Sequence, residues 1–237
     1  MLKDGERIDD LEYNNLRIIQ KKDGYCFTSD SVLLANLTPV KHTDRVVDLC
    51  TGSGVIAILI AGKFQPKEVV GVEIQDRLAE MATRSVELNS LSNVKIVCAA
   101  AQGVEKIIGD NYDVVVANPP YENNFCEDLS EKSICKNEIK LTLEELVTSA
   151  SKLLKFGGTF VMVHRARRLA DAICAMRDNK IEPKRLTLVY PKADRKADTF
   201  IIEGKKGAKS SIIVPEPLIV YDEDGEMNAK CRRLYNK

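Results

Sequence analysis

The sequence predicts an α/β protein, a doubly wound, mostly parallel sheet of seven strands with a C-terminal antiparallel hairpin. Three observations lead there. From Arg45 onward, short apolar runs alternate five times with segments of helical period, the signature of parallel strands joined by crossover helices. After the fifth unit, two more strand-like runs follow with no helix between them, so they should pair antiparallel. The chain has 237 residues, 44% of them hydrophobic, enough to bury one sizeable core. A single domain is expected. Residues 1–44 would form a hairpin and helix across the ligand face, 45–164 the ligand-binding core, and 165–237 a C-terminal helix, edge strands and a basic surface.

The elements follow in order. "DDLEYNNLRIIQKKDGYCFTSDSVLLANLT" reads as a short hairpin turning at Asp23-Gly24, followed by a helix capped by Ser29 or Asp30. The five parallel strands are "RVVDLC", "EVVGVEI", "VKIVCA", "YDVVVAN" and "GTFVMVHR", with helices near 54–63, 76–91, 101–108, 141–154 and 166–180. "RLTLVYP" and "TFIIEG" make the antiparallel pair, expected at the sheet edge. "EGKKGAKSS" and "VPEPLIVYDEDGEMN" are loop and edge material, and the last residues are expected to fray.

Composition narrows the function. No apolar run approaches the roughly 20 residues of a membrane span, and "MLKDGERIDD" lacks the apolar heart of a signal peptide, so a cytoplasmic protein without a membrane partner is expected. The seven cysteines form no C-x-x-C pair and read as reduced, structural thiols. With two histidines, His42 and His164, no metal site is expected. The zero net charge hides an asymmetry: residues 1–150 carry 16 Lys and Arg against 24 Asp and Glu, and residues 151–237 carry 19 against 11. A basic C-terminal third suits a polyanionic partner, and equally a solvated surface.

Two motifs carry chemistry. In "VVDLCTGSGVIAI" a buried strand runs into a loop with Gly52 and Gly54, then directly into an apolar helix. Glycine lets a ligand approach the backbone, and the helix start offers unpaired N–H groups. Gly52 to Ala57 also fits the G-x-G-x-x-G/A pattern, with Glu73 where an acid would hold a ribose. A dehydrogenase is therefore a competitor, as is a plain strand-to-helix turn. Asp48 tilts the choice. It ends the strand where a carboxylate can meet an ammonium group, which methionine has and a nicotinamide dinucleotide lacks at that point.

The second motif is "NPPY". The fourth strand delivers Asn118 to the carboxyl edge of the sheet, where open α/β sheets place ligands. Pro119 and Pro120 stiffen the turn and offer no N–H, so the loop presents acceptors, the Asn118 side-chain oxygen and the Pro119 carbonyl. Two fixed acceptors suit a planar –NH2 group: they orient its nitrogen and stabilise the positive charge it gains on attacking a methyl carbon. Tyr121 can stack on a ring bearing that group, for about 1–3 kcal/mol.

"VVDLCTGSG" resembles the first motif of the class I methyltransferases that use S-adenosylmethionine. The resemblance implies that Thr51, Gly52, Ser53 and Gly54 cradle the methionine part, that Asp48 lies by its amino group, and that Glu73, with Ile74 beside it, serves the ribose end. Ala100 stands near the position where that family commonly carries an acid for the adenine amino group, so backbone and apolar contacts would hold the adenine here. "NPPY" is shared with amino methyltransferases acting on adenine N6, on exocyclic amines of other bases and on protein glutamine. The likeness widens over "ERIDDLEYNNLRIIQ", "FTSDSVLLANL", "GGTFVMVHRARRLADA", "EPKRLTLVYP" and "PLIVYDEDG", which together resemble the bacterial tRNA1(Val) adenine-37 N6-methyltransferase family. That resemblance implies that Phe27, Thr28 and Asp30 close over the cofactor.

One departure falls at Cys135 to Glu138, "CKNE", where relatives often read Ala-Arg-His-Glu. Lys136 keeps a positive charge at that segment. The expected substrate is a tRNA anticodon loop, whose unpaired adenine can be flipped into a pocket formed by Asn118 and Tyr121. Lys136, Arg165 and Arg167 are its expected contacts, with Arg168, Lys184, Arg185, Lys192, Arg195 and Lys196 as further basic candidates. The same chemistry on rRNA, DNA or protein glutamine, or RNA binding without catalysis, are the alternatives; the expected oligomeric state is a monomer or weak dimer.

Overall fold

The structure, a computed structural model, describes residues 2–22, 27–119 and 141–235. Strands β1 (Glu6–Asp10) and β2 (Arg17–Lys21) pair antiparallel with Ile8 opposite Ile19. Their connection spans residues 11–16, with Glu12, Asn14 and Asn15 at positive φ. The expected turn at Asp23-Gly24 is therefore not the one that closes this hairpin. Asparagine tolerates the left-handed region, and "YNN" supplies it ten residues earlier. Asp23 and Gly24 lie outside the described residues. Helix α1 (Ser29–Leu37) starts after Thr28, which is extended and makes no side-chain cap. Ser29 and Asp30, the expected caps, sit inside the first turn, where the Asp30 charge suits the helix dipole.

The alternating core follows: β3 (Arg45–Leu49), α2 (Val55–Phe64), β4 (Glu68–Glu73), α3 (Asp76–Leu88), β5 (Val94–Cys98), α4 (Glu105–Ile108), β6 (Tyr112–Ala117), α5 (Leu143–Leu153) and β7 (Leu154–Arg165). A 3-10 turn (Ala166–Arg168) leads into α6 (Leu169–Asp178), then β8 (Ile181–Tyr190), β9 (Thr199–Lys206), β10 (Leu218–Ile219) and α7 (Ala229–Leu234). Helix α4 has four residues rather than the expected eight, since Gly103 takes a positive φ just before it. The chain is helical in α7 up to Leu234, and the last two residues, 236–237, lie outside the described residues. Asn228 caps α7 by accepting from Lys230 N at 2.9 Å, and the helix buries its own Cys231.

The strand order is β10-β8-β9-β7-β6-β3-β4-β5. All neighbours are parallel except β9, which is antiparallel to both β7 and β8. The seven expected strands are present, with the two-residue β10 as an eighth. The antiparallel pair lies at the sheet edge as expected, with β9 inserted between β7 and β8 and only the two-residue β10 beyond β8. Apolar residues explain the insertion: Phe200, Ile201 and Ile202 are all buried, a run that needs cover on both faces.

One face of the sheet packs under α1 and α2, the other under α5 and α6. Helix α2 is buried continuously from Val55 to Ala61, as a helix apolar all round must be. The N-terminal hairpin is fastened to α3 by Arg84, whose guanidinium meets the Glu6 carboxylate at 2.6 and 2.8 Å and also Glu80. That pairing holds the Glu6 carboxyl down at about 2.

Candidate active site

Strands β4, β3 and β6 end side by side, with Leu49 paired to both Val72 and Ala117. Their carboxyl ends therefore bring the segment after Leu49, the Glu73 side chain and Asn118 to one edge. The loop after β3 is tightly wound, with Cys50, Gly52 and Gly54 at positive φ of 61°, 59° and 94°. Gly54 is the N-cap of α2, and a Cβ there would lie 3.2 Å from Ala82 Cβ, so glycine is required on two counts. A glycine that the sequence did not single out supports the same loop from β4. A Cβ on Gly71 would meet Ile96 Cδ1 at 2.7 Å and Thr51 Oγ1 at 3.0 Å.

Asp48 is fully buried at the end of β3. Its Oδ2 accepts from Thr51 Oγ1 at 2.5 Å and from Ala57 N at 3.2 Å, while Oδ1 has no hydrogen-bond partner among the described residues. Burial pushes its carboxyl up to about 7, and the Glu73 charge adds to the rise. Glu73 is 5% exposed. Its two oxygens accept backbone N–H groups, Oε2 from Gly52 at 2.9 Å and Oε1 from Gln75 at 3.0 Å, with Ile74 N–H also turned toward the carboxylate. Burial raises its pKa as well. Two desolvated acids at one edge favour a ligand that brings positive charge and donors. Ser53 Oγ is likewise buried without a partner among the described residues.

Around this loop, Ile74 is 39% exposed just after β4 and Ala100 is half-buried after β5, an apolar margin with no carboxylate at Ala100. Phe27 packs partly against the core beside α1, and Thr28 is exposed. Asp30 Oδ1 receives a long contact of 3.5 Å from Thr199 Oγ1.

Asn118 is half-buried and Pro119 buried, directly beyond β6. Asn118 Nδ2 donates to Ser31 Oγ at 2.8 Å, a contact across the fold that no local motif announces. Pro120, Tyr121 and Lys136 lie outside the described residues.

The fold divides the basic residues. Because β9 is antiparallel to both its neighbours, β8 ends at the same edge as β7. Arg165, Arg167, Arg168, Lys192, Arg195 and Lys196 thus lie at or beyond the carboxyl ends of β7 and β8, the edge that carries Asn118. Lys184 and Arg185 lie in the first half of β8, toward the opposite edge, where Lys184 Nζ donates to Lys209 O and Ser211 Oγ. Arg165 meets Asp198 at 2.6 Å and Arg168 meets Asp171 at 2.7 Å; Arg167 is exposed.

The strand order, the antiparallel β9 set between β7 and β8, and the glycine loop after β3 define a Rossmann-like α/β protein with the architecture of class I methyltransferases. Residues 27–178 match the methyltransferase small domain, and the chain belongs to that family. Among curated proteins it is similar to the tRNA1(Val) (adenine(37)-N6)-methyltransferase of Bacteroides fragilis, 32% identical over 142 residues, 57% of this chain and 58% of that protein. It is also similar to the protein of the same name from Flavobacterium psychrophilum, 24% identical over 87% of this chain and 91% of that one. Among solved structures, a predicted O-methyltransferase from Agrobacterium tumefaciens shares the fold with a TM-score of 0.73, at 22% identity, over 87% of this chain and 95% of that one. The family match removes the dehydrogenase reading of the glycine loop.

Proposed function

We propose that this protein transfers a methyl group from S-adenosylmethionine to the exocyclic N6 of an adenine in tRNA, at position 37 of tRNA1(Val) as the names of its curated relatives read. The observation that carries the reading is the pairing of β3 with β6, which sets an acceptor-rich Asn-Pro segment beside the buried Asp48 carboxylate, whose Oδ1 has no partner among the described residues.

The cofactor fits the residues present. Asp48 Oδ1 is a buried acceptor that an ammonium group would satisfy, Glu73 offers carboxylate oxygens to a ribose diol, and the Gly52–Gly54 backbone has no side chain at either glycine to obstruct a ligand's approach. Asp48, Thr51 to Gly54, Glu73 and Ile74 would hold it, with Phe27, Thr28 and Asp30 across the site from α1 and Ala100 at the adenine end. When bound, S-adenosylmethionine supplies an electrophilic methyl group on a positively charged sulfur.

The chain's own task is orientation. The adenine amino nitrogen is a weak nucleophile because its lone pair is delocalised into the ring. Asn118 Oδ1 and the Pro119 carbonyl accept its two hydrogens, which aims the nitrogen and favours its pyramidal form. With the cofactor bound, the positive charge that N6 would gain on accepting the methyl group would be stabilised by the same two acceptors, Asn118 Oδ1 and the Pro119 carbonyl. The proton leaves after transfer, so no strongly basic side chain is required. His164 is unsuited to that role, since burial and the neighbouring arginines push it down to about 4. Tyr121 stacks on the base, and Lys136, Arg165 and Arg167 meet the phosphates.

Asn118→Ala tests this reading. The variant should bind S-adenosylmethionine nearly as the wild type does and lose methyl transfer to tRNA by a factor of about 100 or more; normal turnover would refute the role of Asn118.

A further inference from the structure

The structure assigns Ser31 as the positioning residue for Asn118, an inference that rests on the proposed reading of Asn118 as an acceptor for the target amino group. A carboxamide is planar, so fixing its –NH2 end also fixes the direction of its carbonyl end. Left to itself, the terminal torsion of an asparagine is broad. Here the –NH2 end is held, because Nδ2 donates to Ser31 Oγ at 2.8 Å. Its carbonyl end is thereby turned into the acceptor that the proposed chemistry uses.

Ser31 is a suitable anchor because it is itself immobilised. It is 2% exposed, and its N–H donates to Thr28 O at 3.1 Å in the first turn of α1. The three residues after it, Val32, Leu33 and Leu34, are all buried. The same turn receives contacts from two distant parts of the chain, Thr199 Oγ1 to Asp30 Oδ1 at 3.5 Å and Tyr235 OH to Ser29 O at 3.4 Å. The start of α1 is therefore a strut that reaches from β9 and the C-terminal helix to the end of β6. Pro119 sets one acceptor through its backbone; the direction of the other depends on this strut.

The test compares Ser31→Ala, which removes the hydroxyl, with Ser31→Thr, which keeps one. Two readouts are taken on the full chain: kcat and KM separately with unmodified tRNA, and the asparagine side-chain amide signals in a proton–nitrogen correlation spectrum. The Asn118 pair is assigned by its loss in Asn118→Ala. Ser31→Ala should lower kcat about tenfold or more, the scale at which misplacement of a reacting group is felt. Both KM values should stay within about twofold, the expectation for loss of orientation without loss of binding. The Asn118 amide signals should move, Ser31→Thr should restore both readouts, and adding Ser31→Ala to Asn118→Ala should cost nothing further. Unchanged kcat in Ser31→Ala would overturn the inference. So would unmoved Asn118 signals, or a loss carried by a raised cofactor KM that threonine does not rescue. If the wild type transfers no methyl group to adenine, the proposed function fails, while the amide signals still decide whether Ser31 holds Asn118.

Discussion

Replacing Asp48 by asparagine should move apo stability and cofactor affinity in opposite directions. The carboxyl is fully buried, its Oδ2 already accepts two hydrogen bonds, and its Oδ1 has no partner among the described residues. Desolvation lifts its pKa to about 7 from 3.8. An acid raised on folding binds more protons in the native state, so stability falls as pH rises from about 4 to about 7 and the full penalty remains above that. At about 1.36 kcal/mol per pH unit, the penalty at pH 8 is on the order of 4 kcal/mol. Asp48→Asn keeps the shape and removes the charge, so the apo protein should melt higher at pH 8, by an amount reduced by whatever the buried amide leaves unsatisfied. If Asp48 pairs with the ligand ammonium as proposed, the variant would lose a charge-assisted hydrogen bond of about 1.5–3 kcal/mol, or about 10- to 150-fold in Kd. The assays are thermal denaturation without ligand and calorimetric titration with S-adenosylmethionine. Wild-type affinity should also fall as pH drops below about 7, because the carboxylate must be ionised to pair, and this pH dependence should flatten in the variant. Affinity within about twofold of wild type would rule out the ammonium pairing proposed for Asp48, and a lower apo melting temperature would refute the burial penalty.

Other perturbations follow from the same geometry. Gly54→Ala forces a side chain into φ of 94° and against Ala82, which should cost about 1–3 kcal/mol in a thermal melt and weaken cofactor binding. Arg84→Leu removes the guanidinium from the Glu6 carboxylate, which still accepts from Lys3 N at 2.7 Å, and should destabilise by about 1–3 kcal/mol in chemical denaturation at neutral pH. Glu6 has a lowered folded pKa, about 2 against 4.5, so its stabilisation is present above about pH 4.5 and is lost as pH falls toward 2. The difference between wild type and Arg84→Leu should shrink over that window. Replacing Arg167, Arg195 and Lys196 by alanine should weaken tRNA binding and lower the slope of log affinity against log salt by about 2 to 3. Replacing Lys184 and Arg185, toward the opposite edge, should leave that slope unchanged.

Much of this molecule is legible in its residues because the signals are local. Five apolar runs separated by helical periods mark the parallel strands, and the Asp48–Gly54 loop and Asn118–Pro119 segment are recognisable because tight turns and proline restrict the backbone one residue at a time. What escapes is non-local. The insertion of β9 between β7 and β8 follows from which strands need cover on both faces, and the hairpin turn at residues 11–16 competes with an equally good turn signal at Asp23-Gly24. Gly71 reads as an ordinary strand residue until the Thr51 loop is laid across it. Ser31 reads as an ordinary helix residue until Asn118, 87 positions away, is brought to it. The half of the "NPPY" motif contributed by Pro120 and Tyr121 lies outside the described residues, and its role rests on the sequence.

Methyl transfer to adenine N6 in tRNA is open to direct assay. Purified protein should be incubated with methyl-labelled S-adenosylmethionine and tRNA1(Val) transcribed without modifications, and the RNA digested to nucleosides. Label is expected in N6-methyladenosine alone, at a single position, and should be abolished when adenine 37 is replaced by guanine. Label in another nucleoside, in the protein fraction, or in N6-methyladenosine that survives that replacement would contradict the proposed function.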